Sequence, residues 1–396
     1  MAVKLGNGNW AVKEDKLLAY NDNSGLFFNK EFDFSRGSTA TYVGRDGLIA
    51  SAASGVPRID FTNDTKGHLL LEPSRTNYAT NNSLMHTYSA VGGSSPNPTL
   101  TANYTTAPDG TNTATRLQTS VTGSSYSLIN LPSTTLGDGT YSISVYVKSN
   151  TDSNQIISFY GAGSASSAFK LSVTTEWTRL EVQATRGSGQ TKYAYIGTWP
   201  SLQGSDENID ISVWGAQVEI DSDYSTSLIP TTGAASTRNA DVCNNSGSAQ
   251  DFNSEEGVLY AELSALANGG VNRYISLSDN TSSNRLQIIY SGTSNRLTIS
   301  GVGNVGGVFT TINHTPFVQN QFNKIAIKYS SSGCKVFVNG SEVGSNTDNT
   351  SWVKNALTTF DLTLWNQSTA PFIGKVRNVQ VFTEALTDEQ LEKLTS

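Results

Sequence analysis

Tyr141-Ser142-Ile143-Ser144-Val145-Tyr146-Val147-Lys148 decides the fold class. Its odd-numbered residues are apolar and its even-numbered ones mostly polar. Successive side chains of an extended strand point to opposite faces, so this period of two predicts a strand with one buried and one solvated face. Ile209-Asp210-Ile211-Ser212-Val213-Trp214 repeats the pattern, with Ile209, Ile211 and Val213 inward and Trp214 on the polar face. Turn residues recur about every ten positions between such runs, the spacing of antiparallel sandwiches.

The same reading extends both ways. Residues 76–230 read as one β-sandwich. Residues 231–253 are rich in Ser, Thr, Asn and Gly, and their composition predicts a linker. Residues 254–396 read as a second sandwich. There Lys324-Ile325-Ala326-Ile327-Lys328-Tyr329 alternates, and Asn339-Gly340 is a type I′ hairpin signal. Residues 1–75 break into strand-length pieces separated by Gly, Asn and Asp. With too little core to stand alone, they are expected to serve attachment or oligomerisation. One short helix closes the chain. Thr387 is its N-cap, Gln390 completes a capping box, and Leu386, Leu391 and Leu394 form its apolar face. The expected fold is all-β, tandem antiparallel sandwiches with a β-rich leading segment and one C-terminal helix.

Composition narrows the function. Charged residues are 15% of the chain, and the polarity comes from Ser, Thr, Asn and 35 glycines. The net charge is −7, without any basic run, which argues against nucleic acid and anionic membranes as partners. The longest apolar runs, such as Leu69-Leu70-Leu71, are too short to cross a bilayer. No signal peptide is read at the start, so synthesis in a cytoplasm is expected. Cys243 and Cys334 have no metal-ligand spacing; free thiols are expected, with a disulfide left open.

Two resemblances attach to particular residues. Phe322 through Gly340, and Gly374 through Gln390 with its last strand and helix, resemble laminin G-like, concanavalin-type jelly rolls. Phe32 to Thr41, Pro57-Arg58-Ile59-Asp60-Phe61 and Leu71 to Asn77 resemble a module set of phage structural proteins. So do Trp214 to Glu219, Ile229 to Thr232 and Thr237-Arg238-Asn239-Ala240-Asp241. Residues 78–220 between them look like a carbohydrate-binding-module jelly roll. These resemblances imply a fibre or surface protein of a bacteriophage virion, made inside the host and working outside. Host-surface glycans and other virion proteins would be its partners. A homo-oligomer, threefold by analogy with phage fibres and spikes, would be its state.

No catalytic constellation is found, and a non-enzyme is expected. Glu219-Ile220-Asp221-Ser222-Asp223 superficially resembles the acidic motif of laminarinase-type glycosidases, and alternation would put its three carboxylates on one face, as paired-carboxylate chemistry requires. The third position is Asp where that family uses Glu, and the motif ends the first sandwich, so a solvated strand end is the plainer reading. His68, His86 and His314 are scattered. No nucleophile elbow, zinc-binding helix or phosphate-binding loop occurs. Asp206-Glu207, Asp279-Asn280 and Asp348-Asn349 are acidic loop pairs that calcium could use, though turn formation explains them more simply. No other cofactor and no metal site is expected. The carbohydrate-binding candidates are Trp199, Trp214 and Trp365, because sugar C–H faces stack on indoles; packing under a neighbouring segment is the competing role. A capsid decoration protein without glycan binding and a polysaccharide-degrading enzyme are the alternative functions.

Overall fold

A computed structural model describes residues 2–6, 11–13, 15–23, 26–131, 137–161, 168–187, 194–303, 311–347, 351–365 and 370–396. It is all-β apart from the helix Asp388–Thr395, a single helical turn Pro200–Gln203 and a 3₁₀ turn Met85–Thr87. The turn at Pro200 was not anticipated; proline at its first position and Gly204 in a left-handed cap make so short a helix.

The first sandwich packs two five-stranded antiparallel sheets face to face. One contains Ala90–Gly92, Ser127–Leu131, Ala194–Thr198, Gln155–Gly161 and Ala168–Val173, in that spatial order; the other contains Thr99–Thr105, Ala114–Ser120, Asn208–Ile220, Gly139–Ser149 and Thr178–Arg186. Tyr141, Ile143, Val145, Val147, Ile209, Ile211 and Val213 all lie in the core between them, on the faces the alternation assigned. The second sandwich sets the five-stranded sheet around Arg285–Tyr290 against an 11-stranded sheet that includes Gly374–Phe382, Gly257–Ala265 and Asn323–Ser330. The C-terminal helix covers the outside of that larger sheet, with Leu391 buried against Val258, Tyr260, Ala326 and Phe337. Its capping box is formed as expected: Gln390 N–H donates to Thr387 Oγ1 at 3.2 Å, and Thr387 N–H donates to Gln390 Oε1 at 2.9 Å.

Residues 1–75 do not stand apart. Ala2–Gly6 pairs with residues 378–382 of the strand Gly374–Phe382, and His68–Leu71 pairs with residues 374–376 of the same strand. The leading segment thus covers an edge of the second sandwich, and the apolar Leu69-Leu70-Leu71 run is buried there within its own chain.

The expectation of a linker over 231–253 is corrected. Ser236–Arg238 pairs with Arg75–Asn77, and Val242–Asn244 pairs with Asp33–Ser35. Arg238 and Asp241 are fully buried, together with Arg36, Arg58 and Glu72. Composition misleads here because the small polar residues serve as strand ends and hydrogen-bond partners around a charged core. Arg58 donates to Glu72 Oε2 at 2.7 Å, to Thr41 O at 2.8 Å, to Ser227 Oγ at 2.8 Å and to Asp241 Oδ2. Arg36 reaches the other oxygen of Asp241 at 3.0 Å, and Arg238 lies 3.0 Å from Glu72. Burial would push the Glu72 carboxyl up, but Arg238, Arg58 and the Ser227 hydroxyl and N–H outweigh it and hold the group down at about 2. This cluster joins the leading segment, the end of the first sandwich and the 231–253 segment.

Both cysteines are buried free thiols in the second core. Burial pushes the Cys334 thiol up to about 12, so it stays protonated and unreactive at neutral pH.

Candidate aromatic site on the first sandwich

Along Gln155–Gly161, Ile157 and Phe159 enter the core, so Ser158 and Tyr160 face outward. The register then places Tyr160 opposite Tyr195 and Ser158 opposite Gly197. One step beyond the pair Ser127–Thr198 come Tyr126 and Trp199. Four half-buried rings therefore lie on one outer sheet face. The ring centroids of Tyr126 and Trp199 are 4.7 Å apart, those of Trp199 and Tyr160 6.3 Å, and those of Tyr160 and Tyr195 5.9 Å. None of these pairs is face-to-face stacked: the ring planes are tilted by 40°, 42° and 46°.

Trp199 is held from behind. Its N–H lies 3.1 Å from Ser158 Oγ and 2.9 Å from Ser205 Oγ. Gly197 is required beneath the rings: its φ is +150°, and a Cβ there would sit 2.3 Å from Ser127 O. Burial raises the pKa of the Tyr160 phenol, leaving it a neutral donor and acceptor. Lys170, one strand further out and opposite Ser158, is exposed. The arrangement offers stacking faces with hydroxyl and ammonium groups at their edges, the combination that recognises a sugar's apolar face and its rim of hydroxyls.

The other two tryptophans stand elsewhere. Trp214 is on the outer face of its strand, as expected, but is only 3% exposed. It packs with Ala107, Ala114 and Leu228, beside Ile49, Tyr146 and Trp177, and donates from Nε1 to Thr113 Oγ1 at 3.1 Å. Its indole is closed to a ligand because neighbouring loops and the leading segment cover that face. Trp365 is half-buried, and the Arg285 guanidinium sits 4.7 Å over its ring, taking up one stacking face. Alternation singles out outward side chains but not strand register, so Tyr126, Tyr160 and Tyr195 went unnoticed. The apolar–polar beat of Ile157-Ser158-Phe159-Tyr160 was the available signal.

Glu219 and Asp221 do not share a strand face. The strand ends at Ile220, and Asp221 takes a left-handed φ of +53°. Glu219 is fully buried and accepts from Thr226 N–H at 2.8 Å and Thr226 Oγ1 at 2.5 Å. Burial raises its pKa against those bonds. Asp279 caps its own turn, accepting from Thr281 N–H at 2.8 Å and Asn284 Nδ2 at 2.7 Å. Asp206 accepts from Ile156 N–H at 2.7 Å. Asp348-Asn349 lies outside the described residues. Among the described residues no group of three or more His, Cys, Asp or Glu is placed to hold a metal ion, and no helix is long and apolar enough to cross a membrane.

Residues 263–392 match the family model for the concanavalin A-like lectin/glucanases superfamily. The matched residues fall in the second sandwich, the part of the sequence that carries the laminin G-like, concanavalin-type resemblance. No curated protein matches the chain. Among solved structures, the chain is similar to the CBM40 of the Ruminococcus gnavus IT-sialidase bound to α2,3-sialyllactose, at 16% identity and a TM-score of 0.33, over 39% of this chain and 94% of that one. It is similar to domain 4 of AbnA, a GH43 extracellular arabinanase from Geobacillus stearothermophilus, in complex with arabinotriose, at 16% identity and a TM-score of 0.33, over 40% of this chain and 73% of that one. A heptameric SAP-like pentraxin from Limulus polyphemus shows 14% identity and a TM-score of 0.29, over 37% of this chain and 71% of that one.

Proposed function

We propose that this chain is a non-enzymatic structural component of a bacteriophage virion, a fibre or surface protein whose sandwiches hold host-surface glycans during adsorption. The observation that carries the glycan part is the outward row of Tyr126, Trp199, Tyr160 and Tyr195 on one sheet face. The lectin-type match of the second sandwich supports it. The virion part rests on the resemblance of Arg36, Arg58, Glu72, Arg238 and Asp241, with their flanking residues, to the phage module set. Each site would bind weakly, and a homo-oligomer, threefold in this reading, would supply avidity. A glycan-array screen of the full chain beside Trp199→Ala is the test. Loss of the array signal in a variant with an unchanged far-UV spectrum is expected. An array blank for both proteins would sink the glycan reading and favour the purely structural decoration role.

A further inference from the structure

The aromatic row on the first sandwich is long. Tyr195 and Trp199 lie four positions apart, on the same face by alternation, which separates them by about 13 Å along the strand direction. Gly197 stands between them without a side chain, and Ser158, opposite it, has a small one. Across that gap the rings of Trp199 and Tyr160 approach to 6.3 Å. Tyr126 extends the row at one end and Tyr195 at the other, with centroids 4.7 Å and 5.9 Å from their neighbours. Each of the four rings is half-buried, so each keeps part of its surface open. A pyranose is similar in size to a phenol ring, so a single sugar leaves most of this row unused.

No two neighbours in the row are coplanar. Tyr126 and Trp199 are tilted by 40°, Trp199 and Tyr160 by 42°, and Tyr160 and Tyr195 by 46°. The backbone beneath them is held in place. Trp199 N–H is bonded by Ser158 Oγ and Ser205 Oγ, and the close strand approach at Gly197 fixes the register. A sugar stacks best when its C–H face lies parallel to the ring. Dispersion falls steeply as the surfaces part, and a gap of about 0.5–1 Å forfeits roughly a quarter to a half of the attraction. A flat glycan ribbon laid on one ring is therefore inclined by 40° or more to the next, and it loses contact there. Only a chain that turns between successive residues can lie on neighbouring rings together.

We propose that this site takes a single soluble glycan chain that twists along its length, and holds several consecutive residues of it, one to a ring. The inference rests on the glycan-binding reading above and narrows its ligand. A lone terminal sugar would meet one ring and forgo the others. The planar face of an ordered polysaccharide would meet one ring squarely and stand off its neighbours. A twisting chain gains stacking at each ring without bending the row out of shape.

Calorimetric titration of the full chain with α-1,4-linked glucose oligomers, from maltose to maltopentaose, tests it. The β-1,4-linked series from cellobiose to cellopentaose is the control, because it holds the same sugar in a flat ribbon. Affinity for the α-linked series is expected to rise about three- to tenfold per added residue beyond the dimer before it levels off. The α-linked pentamer should bind at least about threefold more tightly than the β-linked one, and microcrystalline cellulose should not retain the protein. Tyr195→Ala, which removes the ring at one end of the row, should make the affinity level off at a shorter chain, while Tyr195→Phe keeps the parent's dependence on length. The proposal is overturned by affinity that is flat from dimer to pentamer, by equal or tighter binding of the β-linked series, or by no binding of maltopentaose. A length dependence unmoved by Tyr195→Ala in a protein of unchanged melting temperature overturns it too. An array signal that disappears with Trp199→Ala, alongside any of those results, leaves the glycan site standing and removes only the twisted-chain assignment.

Discussion

Arg58 and Asp241, 183 residues apart, form an ion pair with no solvent exposure on either side chain. Neither residue belongs to a sandwich core. Arg58 comes from the leading segment, and Asp241 from a stretch whose composition reads as a linker. Their meeting, with Glu72 bonded to Arg58 and Arg238, holds the chain's three parts in register.

Removing one member of this cluster should cost more than the pair itself contributes, because a buried charge is left without a partner. Arg58→Ala is expected to lower stability by about 3–5 kcal/mol, read from the midpoint of urea unfolding. An exposed pair such as Lys335–Glu342 should cost far less when broken, because solvent screens it on both sides. If the two losses are similar, the cluster is not holding the lobes together.

The same cluster sets an acid limit. Glu72 sits at about 2 in the folded chain against an ordinary 4.5, so its folded-state pKa is depressed. Its contribution is fully present above about pH 4.5 and disappears as pH falls toward 2, an effect on the order of 3 kcal/mol. Glu72→Gln should therefore be markedly less stable than the parent at pH 7, and the two should converge near pH 2. Parallel stability curves across that interval would show that Glu72 is not the titrating group.

The sandwiches were legible because period-two runs such as Tyr141–Lys148 report local geometry, and local geometry survives tertiary context. The capping box at Thr387 was legible for the same reason. The rest depends on what covers a face. Trp214 points away from the first core, as its position in Ile209–Trp214 indicates, yet neighbouring segments bury it. Asp221 ends its strand by a left-handed turn, so counting alternation through Glu219-Ile220-Asp221 fails at the second carboxylate. Arg36, Glu72 and Arg238 were visible as motif residues, but nothing in a linear spacing says that 1–75 and 231–253 meet. Tyr126 and Tyr160 became part of a site only once strand register placed them beside Trp199.

Gly197 offers a separate check on that site. Its φ of +150° and the 2.3 Å approach to Ser127 O leave no room for a methyl group. Gly197→Ala should lose about 1–3 kcal/mol and shift the pairing of Ser127–Leu131 with Ala194–Thr198. Near-UV circular dichroism should change with it, because the rings of Trp199 and Tyr126 ride on those strands. A stable variant with an unaltered aromatic spectrum would show that the ring row does not depend on this strand approach.

The edge of the second sandwich yields the last prediction. Gly374–Phe382 is paired on one side with Gly257–Ala265, and on the other with two strands of the leading segment, Ala2–Gly6 and His68–Leu71. A chain that starts at Phe32 would keep His68–Leu71, but residues 378–382 would present unpaired N–H and C=O groups. Such an open edge recruits strands from other molecules. It would also lose Leu17, a fully buried member of the second core. The truncated chain is therefore expected to melt lower and to scatter light increasingly with concentration, while the full chain remains one discrete species. If assembly into an oligomer runs through residues 1–75, the truncation also replaces that species with a broad distribution. A truncated chain that stays monodisperse, with an unchanged melting temperature, would show that the leading strands neither protect the edge nor carry assembly.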